Sequence, residues 1–572
     1  MSLGLRIYAR WERFCKEHPQ ALEVAEAYGT KACTPVDGVR SEWQAELKRL
    51  LGTKGRPRVA LRERWHYQSS LEWDLIGSWV DKAGDPDTDL GEWARDGVPR
   101  GINKPVTTRG IFPHKDEERG EDEYLRDALA QMSGGQILNY ASIKENLEDA
   151  KGEVERLIGL GYAERVSEAQ VKEHFSQGTV SKLGIVVKTK DDGTKKVRLV
   201  IDMRRSGGNA KATLPEKLEL PRVWDAIEDL KASHRVHPWY PPAEALQKHW
   251  AREFVMVDID GCLPTLEHCV TPDVGQEGYL LFKALLFGSK CAPLLWSRLA
   301  AWVARALQSC TPATQASSQV YLDDTLWLLT GTLEERNRML AFALYTLAAL
   351  GLKVSFGKGE RGALVTWTGV RLHLKAPVKG VGPAVYLTLP EKLMALLVQA
   401  LNSWAQKGMA PLRELRSVAG RVSWLSGVLP ACRWTLSVFY AVMKERELEV
   451  SQGLEERRRR ERRDQRPKDH LFVVKRLEQA RVWLVEYLRV AKNRPTRRIQ
   501  LGEEGRTPAR RASGRSCFST TRSTRPWRPQ WTTWTPPICC SSWARRAAKA
   551  RARPSPSWRA CGCGRVSWSS AG

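Results

Sequence analysis

Residues 319–329 have the sequence QVYLDDTLWLL, in which two adjacent aspartates interrupt two apolar, β-prone runs. This pattern predicts two strands joined by a tight turn at Asp323 and Asp324. Two negative charges at the ends of buried strands are costly unless cations or hydrogen bonds compensate them. The stretch therefore indicates either a cation site or a surface turn made of two aspartates.

A second apolar run, EFVMVDID at residues 253–260, ends on Asp258 and Asp260, which fall on one face of a strand. On its own this is equally an ordinary strand end with solvated acids. If the two segments pair in one sheet, Asp258, Asp323 and Asp324 converge. Magnesium prefers such hard oxygen ligands, and two ions about 4 Å apart can activate a 3′-hydroxyl and stabilise a leaving pyrophosphate.

Six segments in order resemble the conserved motifs of reverse transcriptases, from the fingers to the primer-grip hairpin. They are KVRLVIDMRRSGGN (196–209), VMVDIDGCL (255–263), LLFGSKCAPLLWSRL (285–299), YLDD (321–324), LGLKVSFGKGE (350–360) and VTWTGVRL (365–372). A further segment, LRSVAGRVSWLSGVLP (415–430), resembles the helical region after the palm in LTR-type and tyrosine-recombinase-type retroelements. The likeness covers roughly residues 140–450.

The resemblance implies an RNA-directed DNA polymerase that uses an RNA template, a DNA primer and deoxynucleoside triphosphates. It implies that Asp258, Asp323 and Asp324 are catalytic and bind Mg²⁺, with Mn²⁺ as an alternative. It also implies a set of residues that contact the incoming nucleotide or its pyrophosphate: Lys188 or Lys190, Arg198, Leu263, Phe287, Gly288 and Lys358.

The chain also departs from the family pattern. After Asp258 the family usually has an acid, an alanine and an aromatic residue that excludes the ribose 2′-hydroxyl, whereas this chain has Gly261, Cys262 and Leu263. Asp260 competes with Asp258 as the metal ligand, although the spacing favours Asp258. A catalytically inactive remnant that only binds nucleic acid therefore stays open as an alternative. So does an RNA-dependent RNA polymerase, although its usual signature is Gly-Asp-Asp and Leu322 precedes the pair here.

A glycine pattern at residues 357–362, GKGERG, matches the dinucleotide-binding fingerprint GxGxxG. That fingerprint requires a helix opening directly after the glycines, so that its N-terminus meets the pyrophosphate. A β-rich run follows instead, which argues against a dinucleotide-binding fold.

The order of strand and helix signals predicts an α+β fold, with an antiparallel sheet backed by helices. The resemblance implies that this is a right-hand polymerase with a helical thumb-like region. We expect an N-terminal region of unknown role (1–124), fingers and palm (125–375), a helical thumb-like or connection region (376–450), a basic linker and helix (451–505) and a disordered tail (506–572).

The composition is basic, with 91 Lys and Arg against 65 Asp and Glu, a formal charge of +26. Such an excess suits a polyanionic partner. No acidic residue follows Glu504, and the change in composition there suggests an out-of-frame tail or disorder. No second acidic constellation marks a ribonuclease H domain. The charged start of the chain, the scattered cysteines and the short apolar runs predict an intracellular protein without membrane spans. Its oligomeric state stays open.

Overall fold

A computed structural model describes residues 2–30, 37–53, 69–115, 138–174, 180–189, 193–236, 251–285, 287–376, 382–451, 470–472, 475–491 and 497–501. All of them belong to one compact unit, Met1–Thr507. Lys190, residues 452–469 of the expected basic linker and the predicted tail at 506–572 lie outside the described residues.

The described chain mixes helices with antiparallel sheets, so the expected α+β class is observed. The helices are α1 (Leu3–Glu17), α2 (Glu23–Glu26), α3 (Asp37–Leu51), α4 (Trp73–Ala83), α5 (Leu90–Asp96), α6 (Ala141–Glu145), α7 (Leu147–Gly159), α8 (Glu168–His174), α9 (Gly208–Lys211), α10 (Val223–Val236), α11 (Ala292–Cys310), α12 (Leu333–Ala349), α13 (Glu391–Lys407), α14 (Leu412–Val428), α15 (Arg433–Ser451) and α16 (Lys475–Ala491).

The strands are β1 (Ala163–Val166), β2 (Lys182–Thr189), β3 (Lys195–Asp202), β4 (Ala251–Asp260), β5 (Pro264–Pro272), β6 (Tyr279–Ala284), β7 (Ala316–Tyr321), β8 (Asp324–Gly331), β9 (Lys353–Val354), β10 (Glu360–Gly362), β11 (Leu364–Trp367), β12 (Val370–Lys375), β13 (Ala384–Thr388), β14 (Met409–Pro411), β15 (His470–Phe472) and β16 (Arg497–Gln500).

The central sheet has the order β10-β4-β8-β7, and β9 extends it at the end of β4. β4 is a nearly continuous apolar run and is buried on both faces, as expected for a strand covered by helices on each side. Because side chains alternate, Val255 and Val257 point into one hydrophobic core while Phe254 and Met256 point into another. The sheet therefore separates two cores.

The first core joins the N-terminal helices to α11 and α12. Trp11 and Trp43 pack with ring centroids 4.8 Å apart, and Phe342 of α12 lies 6.1 Å from Trp43. A capping box between Thr332 and Glu335 starts α12 and satisfies its first backbone donors. The N-terminal region, whose role was left open above, thus completes the core behind the central sheet.

A buried ion-pair cluster fastens the same region to α11. The Arg298 guanidinium is fully buried and contacts the carboxylates of Asp87, also fully buried, and Asp89. Its Nη1 donates to the carbonyl oxygen of Thr107 at 2.7 Å, and its plane lies 4.2 Å from the ring centroid of Trp93. The Arg298 guanidinium therefore donates all of these hydrogen bonds to residues of the N-terminal region.

The second core lies on the opposite face of the sheet. It is formed by α10, by the sheet β11-β12-β13-β16 and by the helices α13 to α16. Within the region expected to be helical, 376–450, β13 and β14 are strands, and β14 pairs with β15. The helix expected within 451–505 is α16, which begins at Lys475, after β15.

The remaining elements form a smaller layer around the hairpin β2–β3 and the sheet β1-β6-β5. Two helices of this layer, α6 and α7, are separated by a break at Asn146. The backbone of Asn146 leaves the helical region, with φ −129° and ψ 45°, and its side-chain amide donates to the carbonyl oxygen of Ser142 at 3.0 Å. That local hydrogen bond competes with the helical backbone. None of the helices that the structure describes combines the length and apolar content needed to cross a bilayer.

Candidate active site

The turn at Leu322 and Asp323 joins β7 to β8 in a two-residue hairpin, with Tyr321 opposite Asp324. Leu322 has a φ of 56°, in the left-handed region that non-glycine residues seldom adopt. Two-residue hairpin turns with a positive φ at the first central position have a twist that matches that of the flanking strands. With Leu322 in this conformation, the side chains of Asp323 and Asp324 both lie at the turn end of the hairpin.

Strand β4 brings the third carboxylate to the same place. Asp258 lies directly opposite Asp324 in the antiparallel register, and the backbone N–H of Ile259 donates to the carbonyl oxygen of Asp323 at 2.9 Å. From strand β11, the indole Nε1 of Trp367 donates to the carbonyl oxygen of Asp324 at 3.2 Å. The backbone of the turn is therefore fixed from two neighbouring strands. The structure brings together the three aspartates that the sequence singled out.

The carboxylates of Asp258, Asp323 and Asp324 repel one another. Burial, followed by the charges of Asp323 and Asp258, raises the pKa of Asp324 to about 6. Asp258 has a buried side chain, whereas Asp323 is exposed. A cation between these groups would relieve the repulsion, because an opposite charge favours the ionised carboxylate.

Lys358 supplies such a cation in the structure. Its Nζ lies 2.8 Å from both carboxylate oxygens of Asp258. Burial lowers the pKa of Lys358, but the hydrogen bonds and charge of Asp258 outweigh burial and leave that pKa raised. Among the described residues, no three carboxylate, histidine or cysteine side chains form a ready-made metal site. The oxygen ligands suit magnesium, but a metal ion at Asp258 would have to displace the ammonium group of Lys358.

The turn that carries Lys358 is supported from the N-terminal region. The hydroxyl of Tyr28 donates to the carbonyl oxygen of Met256 at 2.8 Å, two residues before Asp258. A Cβ atom at Gly359 would lie 2.6 Å from the ring of Tyr28, so only glycine fits beside it. Tyr28 thus contacts both the strand that holds Asp258 and the turn that holds Lys358.

Strand β3 presents basic side chains toward the carboxylates. Lys196 and Arg198 share one face of the strand, and Lys188 lies opposite Lys196 on β2. Burial, then the neighbouring charges of Arg198 and Lys358, lowers the pKa of Lys196, while Asp258 and Asp323 act against this. Lys196 is therefore part of the site, although sequence reasoning named only Lys188, Lys190 and Arg198. The period-2 alternation of the strand was the signal that would have identified it.

The loop containing Phe287 and Gly288 lies against β3. The backbone N–H of Ile201 donates to the carbonyl oxygen of Phe287 at 3.0 Å. The guanidinium of Arg198 lies 5.1 Å from the centroid of the Phe287 ring, which is 59% exposed. The side-chain amide of Asn209 donates to the carbonyl oxygen of Gly288 at 2.9 Å and ties the loop to the segment after β3. Arg198, Phe287 and Gly288 thus lie close together beside β3.

Gly288 is required by its surroundings. Its φ is 112°, and a Cβ atom there would lie 1.9 Å from the carbonyl oxygen of Ile201. We expect Gly288→Ala to lower the free energy of unfolding by about 2 to 3 kcal/mol, because backbone strain adds to overpacking. Chemical denaturation of the purified chain measures this loss. The control is Gly152→Ala, an exposed helical position with no atom within 4 Å of the added Cβ. It should be neutral or stabilising by up to about 1 kcal/mol, and equal effects at both positions would contradict the argument.

Leu263 is placed differently from the other residues of the implied pocket. Its side chain is only 2% exposed and belongs to the first hydrophobic core. Its carbonyl oxygen accepts a hydrogen bond from the backbone N–H of Leu285 at 3.0 Å. Just before it, a Cβ atom at Gly261 would lie 3.0 Å from the Trp296 ring, so the space that a side chain at residue 261 would occupy is taken by that indole. The structure does not bring the side chain of Leu263 to the surface beside Arg198 and Phe287.

No protein-family model matches the chain, and no curated protein matches its sequence. Among solved structures, the chain is similar to a foamy viral protease-reverse transcriptase in complex with double-stranded DNA. The identity is 13%, the match covers 78% of this chain and 60% of that one, and the TM-score is 0.38.

Proposed function

We propose that this chain is an RNA-directed DNA polymerase of a retroelement, with a right-hand arrangement of fingers, palm and thumb-like helices. The observation that carries the proposal is the meeting of Asp258, Asp323 and Asp324 on paired strands, beside basic side chains on β3. Paired carboxylates and nearby cations suit in-line phosphoryl transfer, which depends mainly on positioning and charge neutralisation.

Each group has a part in the proposed reaction. The primer 3′-oxygen attacks the α-phosphate of a deoxynucleoside triphosphate, and pyrophosphate leaves. Asp258, Asp323 and Asp324 would hold magnesium, which supplies charge neutralisation at the attacking and leaving oxygens. Lys196 and Arg198 donate charge-assisted hydrogen bonds to the triphosphate. Phe287 and Gly288 border the nucleotide, and the second predicted contact from the fingers hairpin is Lys188 or Lys190.

Lys358 has two opposing parts in this scheme. It neutralises Asp258 when the site is free of metal, and it would donate a proton to the leaving pyrophosphate once magnesium has displaced it. We expect Lys358→Met to bind magnesium more tightly, because the competing cation is gone, and to extend primers about a hundredfold more slowly, because general acid catalysis is lost. Calorimetric titration with magnesium and single-nucleotide incorporation measure the two effects. Weaker magnesium binding together with an unchanged rate would exclude both parts.

Primer extension on poly(rA)/oligo(dT) with dTTP and Mg²⁺, using the full chain, tests the proposal as a whole. Extension that is lost in Asp323→Asn would support the polymerase and its carboxylate site together. Extension with ribonucleotides in preference to deoxynucleotides would instead favour an RNA-dependent RNA polymerase.

A second candidate is a chain that keeps the fold and binds nucleic acid without turnover. The ammonium of Lys358 on Asp258 and the burial of Leu263 favour it, since both depart from an open site for metal and nucleotide. Template binding that weakens with salt, with no extension under any combination of Mg²⁺, Mn²⁺ and nucleotide, would establish this candidate.

A further inference from the structure

Aromatic rings and arginines gather at the surface of the second core, on elements that carry none of the site residues described above. We call this set the ring–arginine cluster. Its members are Trp224, Arg433, Trp434, Trp483, Tyr487 and Arg497.

Three of the rings form a continuous aromatic surface. Trp483 and Tyr487, one turn apart on α16, are stacked with centroids 4.8 Å apart and an interplanar angle of 10°. Trp434, near the start of α15, meets Trp483 edge to face at 5.2 Å. The side chain of Trp434 is 42% exposed, and Trp483 and Tyr487 are half-buried. These rings are held in place by their neighbours and still present surface to solvent.

The arginines add positive charge that the described residues do not neutralise. The guanidinium of Arg497 lies 4.2 Å from the ring centroid of Trp224, whose indole N–H donates to the carbonyl oxygen of Gly427. Burial, and then the nearby charge of Arg433, lowers the pKa of Arg497. Within the described part of the chain, neither arginine forms an ion pair with a carboxylate, whereas Glu486 on α16 is paired with Arg489 at 2.8 Å.

Aromatic rings held in place beside arginines that have no ion-pair partner among the described residues suit single-stranded nucleic acid in both shape and charge. Unpaired bases stack on aromatic side chains and on guanidinium planes, while the phosphates between them attract arginine. A duplex offers the phosphates, but its bases are already stacked on one another. We propose that the ring–arginine cluster binds an unpaired stretch of nucleic acid, separately from the carboxylate site.

This inference does not rest on the proposed polymerase, since binding at the cluster requires no metal and no turnover. Fluorescence anisotropy of a labelled oligo(dT) with the full chain, without magnesium or nucleotides, tests it over a range of salt concentrations. Trp434→Ala should raise the Kd about tenfold, because one stacking contact is lost. Arg433→Gln should reduce the slope of log K against log salt by about 0.7, the value for one phosphate contact on a single strand.

Two matched variants serve as controls. Tyr440→Ala removes an exposed aromatic ring from α15, and Arg489→Gln removes an exposed arginine from α16. Neither residue belongs to the cluster, so both variants should bind oligo(dT) like the unmodified chain. Trp434 and Arg433 are exposed, and an unchanged unfolding midpoint would show that their variants are folded.

Several outcomes would overturn the inference. They are failure of the unmodified chain to bind oligo(dT), unchanged binding by both cluster variants, and equal weakening by the control variants. Weakening of duplex binding by the same factor as single-strand binding would also overturn it, because stacking on unpaired bases would then not be the cause.

Discussion

Asp323→Asn should reduce nucleotide incorporation by about a thousandfold or more while leaving binding of the primer–template nearly unchanged. A metal ion contributes several kcal/mol of charge stabilisation in the transition state, and every 1.4 kcal/mol corresponds to a factor of ten in rate. The exposed carboxylate of Asp323 lies in the hairpin turn. The backbone carbonyl oxygen of Asp323 accepts a hydrogen bond from the N–H of Ile259, which holds the turn in place. The substitution therefore removes a charge without disturbing the turn. Single-nucleotide incorporation under single-turnover conditions, together with a template-binding titration, measures both quantities.

Asp260→Asn is the matched control for this experiment. Asp260 lies two residues after Asp258 on the same strand, is exposed, and pairs through its backbone with Lys353. Because it lies beyond the register that joins Asp258 to Asp324, we expect its variant to retain incorporation within a few-fold of the unmodified chain. If Asp260→Asn were inactive and Asp323→Asn active, the assignment of the metal ligands would be wrong.

Arg298→Met should lower the free energy of unfolding by about 3 to 5 kcal/mol, because Asp87 would be left as a buried carboxylate without its partner. Burial already raises the pKa of Asp87, although the hydrogen bonds and charge of Arg298 act in the opposite direction. Without the guanidinium, this pKa rises further. When the pKa of a carboxyl group is raised in the folded state, the protein becomes less stable as the pH increases through that range. The loss in free energy of unfolding caused by Arg298→Met should therefore grow from acidic to neutral pH. Urea denaturation at several pH values measures it.

Two comparisons make the Arg298 result interpretable. Arg49→Met removes an arginine of an exposed pair, with Arg49 lying 2.7 Å from Glu46, and should cost at most about 1 kcal/mol. Adding Asp87→Asn to Arg298→Met should recover part of the loss, because no unpaired charge then remains buried. A loss of the same size in Arg49→Met and Arg298→Met would contradict the importance of burial.

The candidate active site was the part of the molecule that could be predicted best from the sequence. The apolar runs beside Asp258 and beside the Asp323–Asp324 pair carry their own strand signal, and the hairpin accounts for the antiparallel pairing of β7 with β8. The position of Lys358 on Asp258 was not accessible, because it depends on a turn one hundred residues along the chain. The burial of Leu263 was not accessible for a similar reason, since it depends on packing within the first hydrophobic core rather than on its place after Asp258.

The N-terminal region was the least accessible. Its tryptophans indicate buried surfaces, but the sequence does not say what covers them. The answer lies far along the chain: the indole of Trp43 donates to the hydroxyl of Thr346, and that of Trp11 to the carbonyl oxygen of Arg338. Arg298 is similar, because the sequence placed it on a helix but could not show that its partners lie in the aspartate-rich loop before α5.

The distance along the chain between these partners has a consequence for biosynthesis. Trp43 is synthesised 303 residues before Thr346. At about 5–20 residues per second, a ribosome needs roughly 15 to 60 seconds to cover that interval. Throughout that time the apolar faces of α1 and α3 lack the helix that buries them, and they are free to meet chaperones or other nascent chains. The yield of native protein in a cell therefore depends on how these first helices are protected until α12 emerges.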